Sequence, residues 1–145
     1  MVLVRHGDIG VKSARVQTWM ERELQSNIEA MLSARDVPGT VDRDWGRLYV
    51  ETPEPGAAAT AAGDVIGVVS ASPARTVDPD LAAIAEVLAE IAAEQYTGGT
   101  FAVDATRTGD HEFTSQDVGE VGGEAIWSAV AGDFEPAVDL DDPDL

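Results

Sequence analysis

The chain has 145 residues and a formal net charge of −18 at pH 7, with 27 Asp and Glu against nine Lys and Arg. The absence of cysteine excludes disulfides, thiolate metal clusters and a thiol nucleophile. Hydrophobic residues make up 44%, enough for a packed core, but no apolar run approaches the roughly 20 residues of a membrane span. We therefore predict one ordinary domain or two small ones, located in the cytoplasm and not in a membrane.

The acidic residues are unevenly distributed along the chain. Residues 1–77 carry a net charge of −2, whereas residues 78–145 carry −16. Such acidity argues at first against a nucleic-acid partner, because phosphate binding needs cations. The acids are nevertheless spread through segments rich in Ala, Val and Asp, and the whole chain has a single Lys. We interpret this pattern as a halophilic adaptation, since concentrated salt screens the self-repulsion.

The first 72 residues predict an α+β domain. Apolar spacing indicates a long helix, and short apolar runs bounded by turn residues indicate strands. The predicted elements are a strand at Met1–His6, a helix at about Ser13–Ala34, strands at Thr40–Asp44 and Arg47–Glu51, a helix at Ala57–Ala62 and a strand at Val65–Ser70. The order β-α-β-β-α-β is that of a ferredoxin-like fold, with the helices on one face of an antiparallel sheet.

Residues 73–145 predict a second, α/β domain. Asp78 as the cap, Pro79 in the first turn and the acid Asp80 predict a helix start, and Gly98 and Gly99 predict its end. The further predicted elements are a strand at Thr100–Ala105, an amphipathic helix at Ser115–Ala131 and a strand beginning at Val138–Leu140.

The start of the last helix is marked by its capping residues. Thr114 and Asp117 have the spacing of a capping box, and Ser115 is an equally good cap. Just before it, Arg107 is the only Lys or Arg after Arg75, in a segment crowded with carboxylates. Such a cation is either paired with an acid or available to a polyanion. The helix N–H groups and positive dipole end point back toward it, a geometry that suits a phosphate.

Two motifs resemble those of one enzyme family. The stretch RTGDHEFTSQDVGEVGGEAI resembles the THUMP domain, an RNA-binding module of tRNA-modifying enzymes. The opening VRHGDIGVKS resembles the start of tRNA 4-thiouridine synthases, which are tRNA sulfurtransferases. The resemblance implies an N-terminal ferredoxin-like domain at residues 1–72 and a THUMP domain at residues 73–145. The closing strands usual in a THUMP domain are not found, so we expect the chain to be part of a longer enzyme.

The resemblance also implies which residues contact RNA. They are Arg5, Lys12, Arg107, Thr108, His111 and Ser115. Asp104, Asp110 and Glu112 depart from the family, whose members often carry basic residues there, and they lower the expected affinity. Arg15 and Arg22 are predicted to be ordinary helix surface.

The chemistry of that family is not predicted in this chain. The sequence has neither the SGGxDS-type loop that binds ATP nor a cysteine that delivers sulfur. We expect no catalytic residue, metal or cofactor here, with ATP and magnesium confined to a separate catalytic domain. The prediction is a tRNA-binding module that positions tRNA for 4-thiouridine synthesis. A catalytic domain, a sulfur donor protein and a second copy of the chain are further candidate partners.

Other functions remain open from the sequence. A standalone tRNA adaptor would present RNA to a separate enzyme, and an acidic protein-interaction module would bind no tRNA in any salt. The stretch VLVRHG also resembles the start of histidine phosphatases, but the only other histidine, His111, lies in an unlike context. Trp19 and Trp127 are predicted core residues, whereas Trp45 at the hairpin turn remains a candidate for base stacking.

Overall fold

A computed structural model describes residues 1–7, 14–44 and 47–145. These residues form two compact units, Met1–Thr76 (unit 1) and Val77–Leu145 (unit 2). Two residues singled out from the sequence, Lys12 and Trp45, lie outside the described residues. No helix of the described ranges combines the length and the apolar character needed to cross a membrane.

Unit 1 is a four-stranded antiparallel sheet covered by two helices. Its elements are β1 (Val2–His6), α1 (Ala14–Ala34), β2 (Thr40–Asp44), β3 (Arg47–Glu51), α2 (Pro55–Gly63) and β4 (Val68–Pro73). The strands lie in the order β2-β3-β1-β4, and each neighbouring pair is antiparallel. The predicted ferredoxin-like order is therefore confirmed.

Strand alternation divides the side chains of this sheet between two faces. Val2 and Val4 of β1 and Leu48 and Val50 of β3 are fully buried. They share one core with buried residues of both helices, namely Leu24, Ile28, Leu32, Ala58, Ala61 and Ala62. Because successive strand residues point to opposite faces, the residues between the buried ones lie on the face away from the helices. We call that side the open face; it includes Leu3, Arg5, Arg47 and Tyr49.

Two predictions for unit 1 were wrong in detail. The last strand was predicted at Val65–Ser70, but β4 begins at Val68 because Gly67 has a φ of +99° and turns the chain. Ile66 is 96% exposed in that turn. Trp19 was predicted in the core but is 62% exposed. It precedes Leu24 by five residues, which places it about 140° around the helix from the buried stripe.

The sheet of unit 1 brings its first and last residues together. Val2 of β1 is paired with Pro73 of β4. Beyond that pair, the Ala74 N–H donates to the Met1 carbonyl at 3.0 Å. The chain therefore enters and leaves unit 1 at neighbouring points.

Unit 2 packs two helices against a small parallel sheet. Its elements are α3 (Leu81–Gln95), β5 (Thr100–Phe101), α4 (Ser115–Val130) and β6 (Ala137–Val138). The core consists of Ala92, Tyr96, Phe101, Ile126 and Val130, with Leu88 and Val103 packed against it. Strand β5 pairs in parallel with β6.

The residues after β6 bind the second edge of β5. The N–H of Asp144 donates to the Thr100 carbonyl, and the N–H of Ala102 donates to the Leu145 carbonyl, both at 3.0 Å. The Asp144 carboxylate also accepts from the N–H and the hydroxyl of Thr100, at 2.8 and 3.0 Å. These bonds lower the pKa of Asp144, the backbone bond being the larger cause. Thr100 is thus held from both its backbone and its side chain.

The boundaries of α3 differ from those predicted. Its N-cap is Asp80 rather than Asp78, since the Asp80 side chain accepts from the N–H groups of residues 82 and 83. The helix ends at Gln95, before the two glycines expected to terminate it. Tyr96 follows in an extended conformation, and its hydroxyl donates to the Gly99 carbonyl at 2.6 Å. The positive φ angles of Gly98 and Gly99 serve the turn into β5 instead.

The strands of unit 2 are shorter than predicted. The predicted burial of one aromatic residue, Trp127, is also wrong. The strand predicted at Thr100–Ala105 is confined to Thr100–Phe101, and the one predicted at Val138–Leu140 to Ala137–Val138. Trp127, predicted in the core, is 45% exposed. It directly follows the buried Ile126 and is therefore rotated about 100° from it around the helix.

Candidate functional site

The turn between β5 and α4 is organised by Arg107. Its Nη1 donates to the carbonyl oxygens of His111, at 3.2 Å, and Phe113, at 3.4 Å. The Nε2–H tautomer of His111 donates to the Thr108 carbonyl at 3.1 Å. The His111 ring also stacks on Phe113, with 5.3 Å between ring centroids and 15° between planes. Three of the predicted RNA-contacting residues therefore belong to one hydrogen-bonded turn.

Arg107 forms no ion pair with any residue that the structure describes. The ion pairs that the structure shows include Arg35–Asp64 and Arg43–Glu21, both in unit 1. From the sequence, Arg107 was expected either to pair with an acid or to contact a polyanion. The structure shows a third role, in which its hydrogen bonds stabilise the turn that contains it. Both bonds use the same nitrogen, so Nη2 and Nε retain donors that a further acceptor can receive.

The start of α4 is closed by the predicted capping box. The Asp117 N–H donates to Thr114 Oγ1 at 3.1 Å, and the Thr114 N–H donates to Asp117 Oδ2 at 2.7 Å. The Thr114 hydroxyl also donates to Asp117 Oδ2, at 2.8 Å. Thr114 is therefore the N-cap, and Ser115, the alternative cap, is instead the first helical residue with an exposed side chain.

The capping box changes the electrostatics expected of this helix end. The hydrogen bonds from Thr114, first the backbone one and then the side-chain one, hold the pKa of Asp117 below its usual value. The ionised Asp117 complements the positive end of the helix dipole, which a phosphate was expected to do. The N–H groups of Ser115 and Gln116 precede the first intrahelical bond and have no acceptor within the helix. Any anion at this end must therefore bind these two groups beside Arg107.

A groove of about 540 Å³ runs from this turn along α4. Its lining includes Ser115, Gly119 and Gly123 of the helix, and Val138 and Leu140 across from them. The two glycines carry no Cβ, so the helix backbone is accessible there. The carboxylates of residues 104, 120 and 124 also line the groove, which disfavours a phosphate inside it and leaves the helix start as the better anion site.

The remaining predicted site residues belong to unit 1. Arg5 is exposed on the open face, where its Nη1 donates to Ser70 Oγ at 3.4 Å. Lys12 falls in the range that is not described. Glu21 of α1 is buried and is paired with Arg43 at 3.7 Å. Arg5 therefore belongs to the sheet of unit 1.

The two histidines are each arranged unlike a phosphate-binding pair. In unit 1, His6 has a buried Nε2 without a hydrogen-bond partner among the described residues. In unit 2, the His111 ring is engaged by Phe113 and Thr108. Within the described part of the chain, no group of three or more His, Asp or Glu side chains could hold a metal ion. These observations give no support to the phosphatase alternative.

Arg47 and Tyr49 were not among the predicted site residues. Both lie in β3, where Leu48 and Val50 alternate with them and are buried. The stretch RLYVE contained the signal, because period-two alternation places Arg47, Tyr49 and Glu51 on one face. The same alternation in β1 places Arg5 on that face as well.

Comparison with known protein families divides the chain in two. Residues 1–72 match the family described as the ThiI ferredoxin-like domain. Residues 79–145 match the THUMP domain family. The sequence motifs at the two ends and the fold of each unit thus point to the same pair of domains.

Similar proteins extend well beyond this chain. A probable tRNA sulfurtransferase of Halobacterium salinarum is 60% identical over 144 residues, covering 99% of this chain and 37% of the relative. One of Methanosarcina acetivorans is 42% identical, covering 99% and 35%. The crystal structure of PH1313 from Pyrococcus horikoshii superimposes with a TM-score of 0.83 at 31% identity, over 99% of this chain and 48% of that one. The chain thus spans little more than a third of the curated relatives, and the Halobacterium match agrees with its halophile-type composition.

Proposed function

The chain consists of a ThiI ferredoxin-like domain followed by a THUMP domain, and from this pairing we propose that it binds tRNA and positions a uridine for thiolation. The observation that carries the proposal is the turn at residues 107–114. This turn lies in the most acidic part of the chain. It contains Arg107, which has no carboxylate partner among the described residues and lies next to the start of α4. A basic side chain at such a place supports a contact to a phosphate.

In the proposed contact, each residue of the turn has a different role. Arg107 Nη2 and Nε, together with the N–H groups of Ser115 and Gln116, would bind a backbone phosphate. The hydroxyls of Thr108 and Ser115 are exposed and can donate to or accept from ribose. His111 would act by fixing the turn, since its ring and Nε2 are already engaged. This mode recognises backbone and shape rather than base sequence.

The rest of the proposal concerns partners outside this chain. The relatives of greater length are named probable tRNA sulfurtransferase. We propose that a catalytic domain, with ATP and magnesium, carries out the thiolation in the cytoplasm, and that a sulfur donor protein and a second copy of the chain take part. This chain's share is to hold the tRNA.

Binding of bulk tRNA in molar potassium chloride, where the acidic chain is screened, tests the proposal. We expect Arg107→Ala to weaken binding several-fold and to lower the slope of log K against log salt by about one phosphate contact. Arg107→Lys keeps the charge but lacks the planar fork, so it should recover only part of the affinity. Arg22→Ala is the matched control, because it removes the same charge from an exposed helix surface.

Two results would refute the proposal. Equal affinities of Arg107→Ala and Arg22→Ala would remove the turn from the binding site. A folded parent chain that ignores tRNA at every salt concentration would favour the acidic protein-interaction module instead.

A further inference from the structure

Two arginines lie side by side on the open face of unit 1. In the β1–β3 ladder, Leu3 is opposite Tyr49 and Val4 is opposite Leu48. The paired residues end there, and the same register continued by one position places Arg5 opposite Arg47. Directly opposed residues of antiparallel strands have Cβ atoms about 5 Å apart, so the two side chains leave neighbouring points of the same face.

Among the described residues, neither arginine of this pair forms an ion pair within 4.0 Å, although Asp44 lies opposite Arg47 on its other side. Like charges directly opposite one another destabilise a sheet. Within the described ranges, no carboxylate lies within 4.0 Å of either guanidinium, in a chain that carries 27 acidic residues. Among the described residues, the side-chain hydrogen bond of this pair is the long one from Arg5 to Ser70, at 3.4 Å. An anion placed between the two arginines would relieve their repulsion.

An aromatic side chain lies in the next row of the same face. Tyr49 is opposite Leu3 on one side and Asp42 on the other, and Leu3 is in turn opposite Ser72. Tyr49 is half-buried. Rows are two residues apart, about 7 Å along the strand, which is the scale of one nucleotide. Exposed aromatics on four-stranded sheets stack unpaired bases in common RNA-binding modules.

Acidic residues limit the extent of this surface. Asp42 and Asp44 lie on β2, the edge strand, and Asp44 is opposite Arg47 without forming an ion pair within 4.0 Å. Glu51, at the end of β3, shares the face and is exposed. On the other side, the residues of β4 that share the face are Ser70 and Ser72. Because the acids repel phosphate and the serines can hydrogen-bond it, an RNA strand is directed over β1, β4 and the part of β3 that carries Arg47 and Tyr49.

We propose that the open face of unit 1 is a second RNA-contacting surface, which receives an unpaired segment of the tRNA. One backbone phosphate lies between Arg5 and Arg47, and the adjoining base stacks on Tyr49. The inference rests on the proposed tRNA-binding function and adds to it a site that reads a single-stranded region. It predicts that the chain prefers single-stranded RNA to a duplex at this face, since a paired base is not free to stack.

The test uses the whole chain and a labelled single-stranded RNA of about ten nucleotides, within the usual site sizes of such surfaces. We expect Arg47→Gln to weaken binding several-fold and to reduce the salt slope by about 0.7. Tyr49→Leu should weaken binding about five-fold or more, whereas Tyr49→Phe, which keeps the ring, should bind as the parent does. Arg22→Gln provides the matched control for charge.

Amide chemical shifts locate the contact independently of the variants. Addition of the oligonucleotide should shift the signals of Leu3, Tyr49 and Ser72 and leave those of the buried helix face unchanged. The inference is overturned if Arg47→Gln and Arg22→Gln bind equally, if Tyr49→Leu matches Tyr49→Phe, or if the open-face signals do not move. If tRNA binding still depends on Arg107 in that case, the proposed function stands and only the second surface is lost. A parent chain that binds neither RNA refutes both.

Discussion

Removal of the Thr114 side chain tests how α4 begins. The Thr114→Ala variant abolishes the bond that Thr114 Oγ1 accepts from the Asp117 N–H and the bond that it donates to Asp117 Oδ2. The bond from the Thr114 N–H to the same carboxylate needs no side chain at residue 114 and is kept. Replacement of a threonine N-cap by alanine typically destabilises a protein by about 1 kcal/mol. Unit 2 is a small domain, for which that loss lowers Tm by roughly 4–8 °C.

The neighbouring hydroxyl supplies the control. Ser115 is the first helical residue, and its exposed side chain makes no bond to the described residues. Ser115→Ala should therefore leave stability unchanged or raise it slightly, because alanine is the better helix former. Any effect of this variant on RNA binding can then be assigned to the lost hydroxyl.

Urea unfolding in molar potassium chloride, followed by amide NMR signals, distinguishes the two units. Ile126 reports on unit 2 and Ile28 on unit 1, since each is buried in the core of its unit. For Thr114→Ala, we expect the midpoint of Ile126 to fall and that of Ile28 to stay. If Ser115→Ala were the more damaging change, the assignment of the cap to Thr114 would be refuted.

Two further predictions concern packing and pH in unit 2. A Cβ at Gly122 would lie 2.6 Å from Leu88 Cδ1, whereas one at Gly123 would have no neighbour within 4 Å. In thermal unfolding, Gly122→Ala should therefore destabilise the protein by about 1–3 kcal/mol, and Gly123→Ala should be neutral or stabilising. Equal effects of the two variants would contradict the close packing of the helices. The lowered pKa of Asp144 means that its bonds to Thr100 stabilise the fold above the ordinary carboxyl pKa and that this stabilisation disappears as pH falls through the lowered value. A ¹³C titration of the carboxyl group measures the pKa of Asp144, and a value at or above the usual one would contradict this prediction. So would an Asp144→Asn variant whose free energy of unfolding falls at acidic pH just as that of the parent does.

Helices and strands were predicted best from the sequence where a hydrophobic repeat extends over several turns or where the turn residues are clear. The i, i+4 stripe at Leu24, Ile28 and Leu32 located α1, and the hairpin strands were found with their bounds because alternating residues flank a short turn. The start of β4 was missed, since the run around Ile66 is uniformly apolar and only the positive φ of Gly67 separates turn from strand. Local patterns do not contain that backbone angle.

The candidate site was predictable in part. Capping-box spacing alone identified Thr114 and Asp117, because the interaction spans three residues. The bonds from Arg107 to two carbonyls were not foreseen, since they depend on how the turn folds back rather than on residue type. The contact of Asp144 with Thr100 joins residues 44 positions apart, and no local pattern indicates such a pair.

The adjacency of Met1 and Ala74 has a consequence for synthesis on the ribosome. The first strand of unit 1 to emerge, β1, is a central strand whose two partners, β3 and β4, are made later. It must wait until Pro73 has left the exit tunnel before its second edge is paired. From then on, unit 1 has all its strands, while every residue of unit 2 that forms a sheet has yet to emerge from the tunnel. Vectorial translation thereby separates the two folding events in time, which keeps the exposed edge of one nascent domain away from the strands of the other.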